Sequence, residues 1–173
     1  MKKFGGGKKD LRTYEEKIRD SAPPSVQLLF ENTKLDLAKV VLLLYAYSLQ
    51  SQKKYRKVSE IVFYYSLVNF NLIKLYESNN QNDDLISTNQ YFRFQFNISW
   101  IILQLSQLEF IEVKGSLSVK TDDIGIRLAP DGLSFVKTLD FDYFKALIDN
   151  YVHALKTVEY SKDNLKRIKG GTQ

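Results

Sequence analysis

The chain has 173 residues, is 44% hydrophobic and 13% aromatic, and carries a formal net charge of +5. That length suits one domain with short tails, able to bury roughly 70% of the surface its unfolded chain exposes without covalent staples. Cysteine is absent, which excludes disulfides, thiolate metal sites and cysteine nucleophiles.

The charge is unevenly placed. Residues 1–20 hold seven Lys/Arg against four acids, and residues 156–173 hold five against two, so the middle of the chain is close to neutral. Basic ends of this kind touch phosphate backbones non-specifically or simply keep a chain in solution. Met1 is followed by Lys2, Lys3 and Gly5-Gly6-Gly7, with no apolar stretch of the sort that marks a secretory signal. The longest apolar run, Val40 to Leu44 extended through Tyr47, is far short of the ~20 residues of a membrane span. The expectation is a soluble, cytoplasmic protein.

Residues 1–24 read as a flexible basic segment that ends in the stiff Pro23-Pro24 pair, with a short charged helix over Leu11 to Arg19. Leu35, Ala38, Val41, Leu42, Tyr45 and Leu49 recur at helical spacing, which predicts a helix over Leu35 to Gln50. Leu43 and Leu44 widen its stripe, so burial on more than one side is expected. Gln52 to Lys57 reads as a solvated turn. A second helix is expected from Ser59, its candidate N-cap, through Tyr76, with Ile61, Val62, Tyr65, Val68, Leu72 and Tyr76 facing inward. The polar run Glu77 to Asp84 predicts a mobile loop. Tyr91 to Phe96 is ambiguous between an alternating strand and the first turn of the next helix.

An apolar helix is predicted over Ile98 to Leu108, then a strand, Phe110-Ile111-Glu112-Val113, and a polar turn. A second strand, Ile124 to Leu128, alternates Ile124, Ile126 and Leu128 with Gly125 and Arg127. Pro130 suits the first position of a further helix, in which Leu133, Val136 and Leu139 pack inward. The last helix is expected to be the longest, with Phe141, Phe144, Ile148, Tyr151, Leu155, Val158 and Leu165 on alternating three- and four-residue steps. That seam suits a partner helix, a second copy or the chain's own core.

Helix, hairpin and helix in this order predict a fold that is mainly α with a small β-hairpin wing. This is a winged helix-turn-helix with long N- and C-terminal helices, its domain spanning residues 25–160 and a basic tail residues 161–173. A helix that reads a major groove presents Arg, Lys, Asn or Gln to base edges, with further cations on phosphates. Ile98 to Leu108 offers Asn97 at its start, Gln104 and Gln107, but no Lys or Arg. Arg93 precedes it, and Glu109 and Glu112 follow. The wing sets Lys114 and Lys120 against Asp122 and Asp123. The balance favours docking to proteins over sequence-specific DNA reading.

Trp100 is the candidate aromatic anchor, its competing reading a core tryptophan. Phe144, Ile148, Tyr151, Leu155 and Val158 are the candidate partner seam. Candidate nucleic-acid contacts are Lys2, Lys3, Lys8, Lys9, Arg93, Lys166, Arg167 and Lys169. No catalytic chemistry is legible. His153, the one histidine, falls on the polar side of the last helix, and Asp83-Asp84, Asp122-Asp123 and Asp140/Asp142 sit where turn formers and caps are expected. The expectation is no enzyme, no metal and no cofactor.

Leu108-Glu109-Phe110-Ile111-Glu112-Val113, followed by Arg127-Leu128-Ala129-Pro130-Asp131-Gly132, resembles the wing of bacterial winged-helix proteins, with Ala129 where those carry a capping threonine. With its length, buried first helix and uncharged helix before the wing, the chain resembles the small middle subunits of bacterial ABC-type three-component defence systems, including Lamassu. It is also similar in plan to the winged-helix accessory subunits of condensins. That resemblance implies a non-catalytic adaptor bridging an SMC-like ATPase and an effector nuclease in an antiphage complex. The alternatives are a dimeric winged-helix transcriptional regulator and a small antitoxin or phage-encoded inhibitor.

Overall fold

The computed structural model describes residues 24–77, 89–115, 120, 123–140 and 142–170. The expected charged helix at Leu11 to Arg19, the loop after Glu77 up to residue 88, and most of the wing turn lie outside them. The chain divides into two compact units, Met1–Asp36 and Leu37–Gln173. Of the first, the described part is helical from Pro24. The second is mainly helical and carries a small three-stranded antiparallel sheet.

The elements in chain order are α1 (Pro24–Gln50), β1 (Arg56–Lys57), α2 (Val58–Asn69), α3 (Lys74–Glu77), α4 (Asn89–Gln107), β2 (Ile111–Lys114), β3 (Gly125–Leu128), α5 (Pro130–Thr138), α6 (Asp142–Thr157) and α7 (Lys162–Ile168). The helix predicted from Leu35 thus begins at Pro24, where a proline in the first turn loses no hydrogen bond. Val40 to Leu44 are all buried, so no side of α1 faces water at that level.

The core is built on α2, whose residues Ile61 to Leu67 are all buried. It packs against α4 and α6 and touches β1. The Tyr65 ring stacks on Phe94 of α4 at 3.6 Å between centroids. The Tyr64 hydroxyl donates to the Val158 carbonyl at 2.7 Å, just past the end of α6. Asn69 donates to the Tyr151 hydroxyl at 2.7 Å. Ser59, expected to cap α2, instead accepts a hydrogen bond from the Tyr160 hydroxyl, and Lys57 occupies the cap position without a side-chain bond to the helix's first N–H groups.

Two predicted helices are interrupted. The second ends at Asn69 rather than running to Tyr76, because Asn71 takes a left-handed φ of 56° and turns the chain into α3. The last is not the longest. It stops at Thr157, and α7 starts afresh where the Ser161 side chain accepts from the Asn164 N–H. Residues 161–170, expected as a tail, therefore include a helix that buries Ile168. The ambiguous Tyr91 to Phe96 is the first part of α4.

Helix α4 ends in a Schellman turn. Phe110 N–H bonds the Leu105 carbonyl and Glu109 N–H the Ser106 carbonyl, with Glu109 at φ 58° where glycine is usual. From there β2 pairs with β3, Ile111 opposite Leu128 and Val113 opposite Ile126. The unpredicted β1 pairs with the other edge of β3, Arg56 opposite Ile126. Gly132, in the first turn of α5, lies so close to the Phe110 carbonyl that a Cβ would overlap it. That contact seats α5 against the turn leaving α4.

Burial raises the Tyr64 phenol to about 12, with the Glu60 charge adding to the effect, and burial likewise raises Tyr76 to about 12. Unfolded tyrosine ionises near 10, so these groups contribute stability that is complete below about pH 10 and lost as pH rises through about 12. Tyr64→Phe should cost on the order of 1 kcal/mol at neutral pH, for the lost bond to Val158, and should flatten the alkaline limb of a stability–pH curve measured by denaturant midpoints. An alkaline limb identical to wild type would contradict this assignment.

Candidate functional site: the outer face of α4

Helix α4 has two apolar faces. Tyr91, Phe94, Ile98, Ile101, Ile102 and Leu105 are buried against the core. Phe92, Phe96, Trp100 and Leu103 recur at steps of four, four and three residues, and point the other way. They are 46%, 87%, 46% and 50% exposed. At 3.6 residues per turn these four fall within about 80° of arc and run about 16 Å along the helix. Among the described residues eight large apolar side chains stand exposed, and half of them share this one face. Scattered exposed apolar residues need no explanation, but a contiguous stripe does.

The stripe has polar flanks. Arg93, Asn97 and Gln104 lie along one side and Ser99 and Ser106 along the other. Arg93 is the one charged residue in the whole helix. Beyond its C-terminal end comes the wing surface, where Arg127 donates from Nε at 3.0 Å and from Nη2 at 2.6 Å to Oε2 of Glu112. The Arg127 guanidinium lies over the Tyr55 ring at 4.6 Å, and the Tyr55 hydroxyl donates to the same carboxylate oxygen. These bonds hold the Glu112 carboxyl below its ordinary range, Arg127 first and Tyr55 next. The wing cations are therefore partly neutralised: Arg127 by Glu112, and Lys57 by Asp123 at 2.9 Å.

The predicted site residues separate sharply. Trp100 stands half-exposed on the stripe. The seam of α6 lies against the chain's own core, the third of the readings it allowed. Tyr151 and Val158 are buried, tied to Asn69 and Tyr64, while Phe144, Ile148 and Leu155 are partly buried and packed against the core. Of the candidate nucleic-acid contacts, Lys2, Lys3, Lys8 and Lys9 lie outside the described residues. Arg93 and Lys166 are exposed. Arg167 donates to the Leu75 carbonyl at 2.8 Å and covers the Tyr76 ring, and Lys169 sits 5.8 Å from the Tyr91 ring. Those two cations fasten α7 to α3 and α4.

Sequence reasoning missed Phe92, Phe96 and Leu103. The signal was there: once α4 begins at Asn89, Phe92 and Phe96 fall in register with Trp100. Setting the helix start at Ile98 separated them.

Among the described residues no three His, Asp or Glu side chains come together as metal ligands, and no helix is long and apolar enough to cross a membrane. A cleft of about 370 Å³ lies between the end of α4 and the start of α5, lined by Ser106, Glu109, Ile111, Glu112 and Asp131 among others. It is open and acidic, without a nucleophile–base pair. No family model, curated protein or solved structure matches this chain.

Because the two faces of α4 do different work, paired substitutions should separate them. Phe94→Ala should lower unfolding free energy by about 3–5 kcal/mol, as loss of a buried aromatic does. Phe96→Ser and Trp100→Ala should change it by less than about 1 kcal/mol. Denaturant melts decide the point, and comparable losses from both faces would place the stripe in the structural core.

Proposed function

We propose that this chain is a winged-helix adaptor, a non-catalytic module that holds protein partners together. The order α1, β1, α2, α4 and the β2–β3 hairpin is compatible with a winged helix, and in that reading α4 corresponds to the recognition helix. The observation that carries the reading is the Phe92–Phe96–Trp100–Leu103 stripe at the very place where a DNA reader sets out base-contacting polar groups. Four apolar side chains and one arginine make poor company for phosphates and base edges, and good anchors for a desolvated protein interface. On the resemblance to the middle subunits of Lamassu-like systems, the partners we propose are an SMC-like ATPase and an effector nuclease.

The alternative, a DNA-binding regulator dimerising through α6, loses support on both counts. Its seam is buried at Tyr151 and Val158 and partly buried at Phe144, Ile148 and Leu155, and its reading helix is nearly uncharged.

The test is affinity capture of the tagged protein from its native cell at moderate salt, read by mass spectrometry. Wild type should recover an ATPase and an effector in stoichiometric amounts. Each aromatic anchor removed from a docked interface costs about 2 kcal/mol or more, so a Phe96→Lys/Trp100→Ala double variant should retain one partner at least about 100-fold more weakly. Recovery of the wild-type chain alone, or undiminished recovery by the double variant, would overturn the proposal.

A further inference from the structure

The outer face of α4 is close to self-complementary, and this bears on what covers it when no other partner is present. The geometry points to a second copy of this chain, docked antiparallel through α4 about a two-fold axis at the level of Ile98. The inference rests on the reading of this face as a docking surface, and adds to it the identity of one occupant.

Three features of α4 carry it. First, the apolar spacing is nearly palindromic. A two-fold axis between Phe96 and Trp100 sets Phe96 of each copy against Trp100 of the other, and Phe92 against Leu103, so every exposed apolar side chain on the stripe meets another. Second, charge permits it. Arg93 is the one charged residue in α4, and the antiparallel arrangement parts the two Arg93 Cα positions by about 15 Å along the axis, beyond the Debye length of about 10 Å at 0.1 M salt. A parallel arrangement would set the two guanidinium groups side by side. Third, the polar flank matches itself. Arg93 comes within one residue, about 1.5 Å, of the level of Gln104 of the other copy, an amide oxygen for a guanidinium donor. The two Asn97 amides lie about 3 Å apart along the helix near the two-fold, with donors and acceptors on both sides.

The size of the face sets the strength. One helical ridge about 16 Å long falls well short of the roughly 800 Å² per partner of a stable specific interface. The pairing is therefore weak, reversible and concentration-dependent, and gives way to a larger partner.

Trp100 is the single tryptophan and lies in the predicted contact, so its fluorescence reports occupancy directly. Sedimentation velocity and Trp100 emission, followed up to about 1 mM chain, should show dimer formation accompanied by a blue shift. Phe96→Lys and Trp100→Glu should each weaken association about tenfold or more. Both side chains being solvent-exposed, the variants keep the wild-type circular dichroism.

Mixing the two variants is the decisive step. In the antiparallel dimer Lys at 96 of one chain faces Glu at 100 of the other, while the remaining Trp100 faces the remaining Phe96, so the mixture should regain a heterodimer and its blue shift. A protein that stays monomeric up to about 1 mM overturns the proposal and leaves the docking role to the partner-capture experiment. A dimer that survives both single variants lies elsewhere on the surface and overturns it too. A mixture without recovery overturns the antiparallel register.

Discussion

Three consecutive aromatic residues, Phe63-Tyr64-Tyr65, hold this fold together, because a helix turns each of them towards a different neighbour. Phe63 meets the Tyr160 ring edge-on at 5.3 Å, Tyr64 meets Tyr47 of α1 and bonds the Val158 carbonyl, and Tyr65 stacks on Phe94 of α4. Successive residues on a helix lie about 100° apart, so an apolar run of this kind demands cover nearly all round. α1, α4, α6 and the segment after α6 supply that cover. Tyr64 also carries a polar tip, and a buried hydroxyl needs a partner, so its bond to the Val158 carbonyl fixes that ring's orientation as well as shape does.

That arrangement decides which surfaces remain for function. Because α2 must be covered, the apolar face of α6 is drawn inward, and with it Tyr151 and Val158. Because Arg167 and Lys169 hold α7 against Tyr76 and Tyr91, two basic residues of the C-terminal end act as fasteners. The outer stripe of α4 has no such internal duty. A helix needs one apolar face to join a core, and α4 has that face in Tyr91, Phe94, Ile98, Ile101, Ile102 and Leu105. Its second face is surplus to folding, which is the physical reason to connect it with binding.

Much of this was legible in the sequence where a pattern was long enough to have a period. Helices α1 and α2, the strand with Ile124 and Ile126 buried, and Pro130 at the head of α5 are present, though of the α1 stripe Val41 and Leu42 are buried and Leu49 is exposed. What escaped were features without a period of their own. β1 is two charged residues, Arg56 and Lys57, recruited by the free edge of β3 and by the Val58 N–H bonding the Ile124 carbonyl, a contact spanning 66 positions in the chain. The breaks after Asn69 and Thr157 depend on a single left-handed Asn71 and on Ser161 as a cap, while apolar spacing runs on across both. The α6 seam had the right residues for a partner helix, but periodicity cannot tell an internal partner from an external one. The site was half legible: Trp100 was found, Phe92 and Phe96 were lost because Tyr91 to Phe96 was not joined to the helix, and Leu103, though inside the predicted helix, was not singled out.

The shape of the α4 stripe also ranks its occupants. Side chains on a helix form ridges, and ridges pack best into the grooves of another surface. The stripe is convex, narrow and bordered by Arg93, Asn97 and Gln104 on one side and by serines on the other, so it enters a groove between two helices more fully than it packs on a copy of itself. A grooved partner buries both sides of Trp100 and Phe96, whereas a second copy covers each along a single line of contact. The proposed self-pairing would therefore shield four apolar side chains from water at modest gain, and the same four side chains would gain more in a groove. The proposed adaptor role needs that ordering, since a face that bound its own copy tightly would be closed to other proteins.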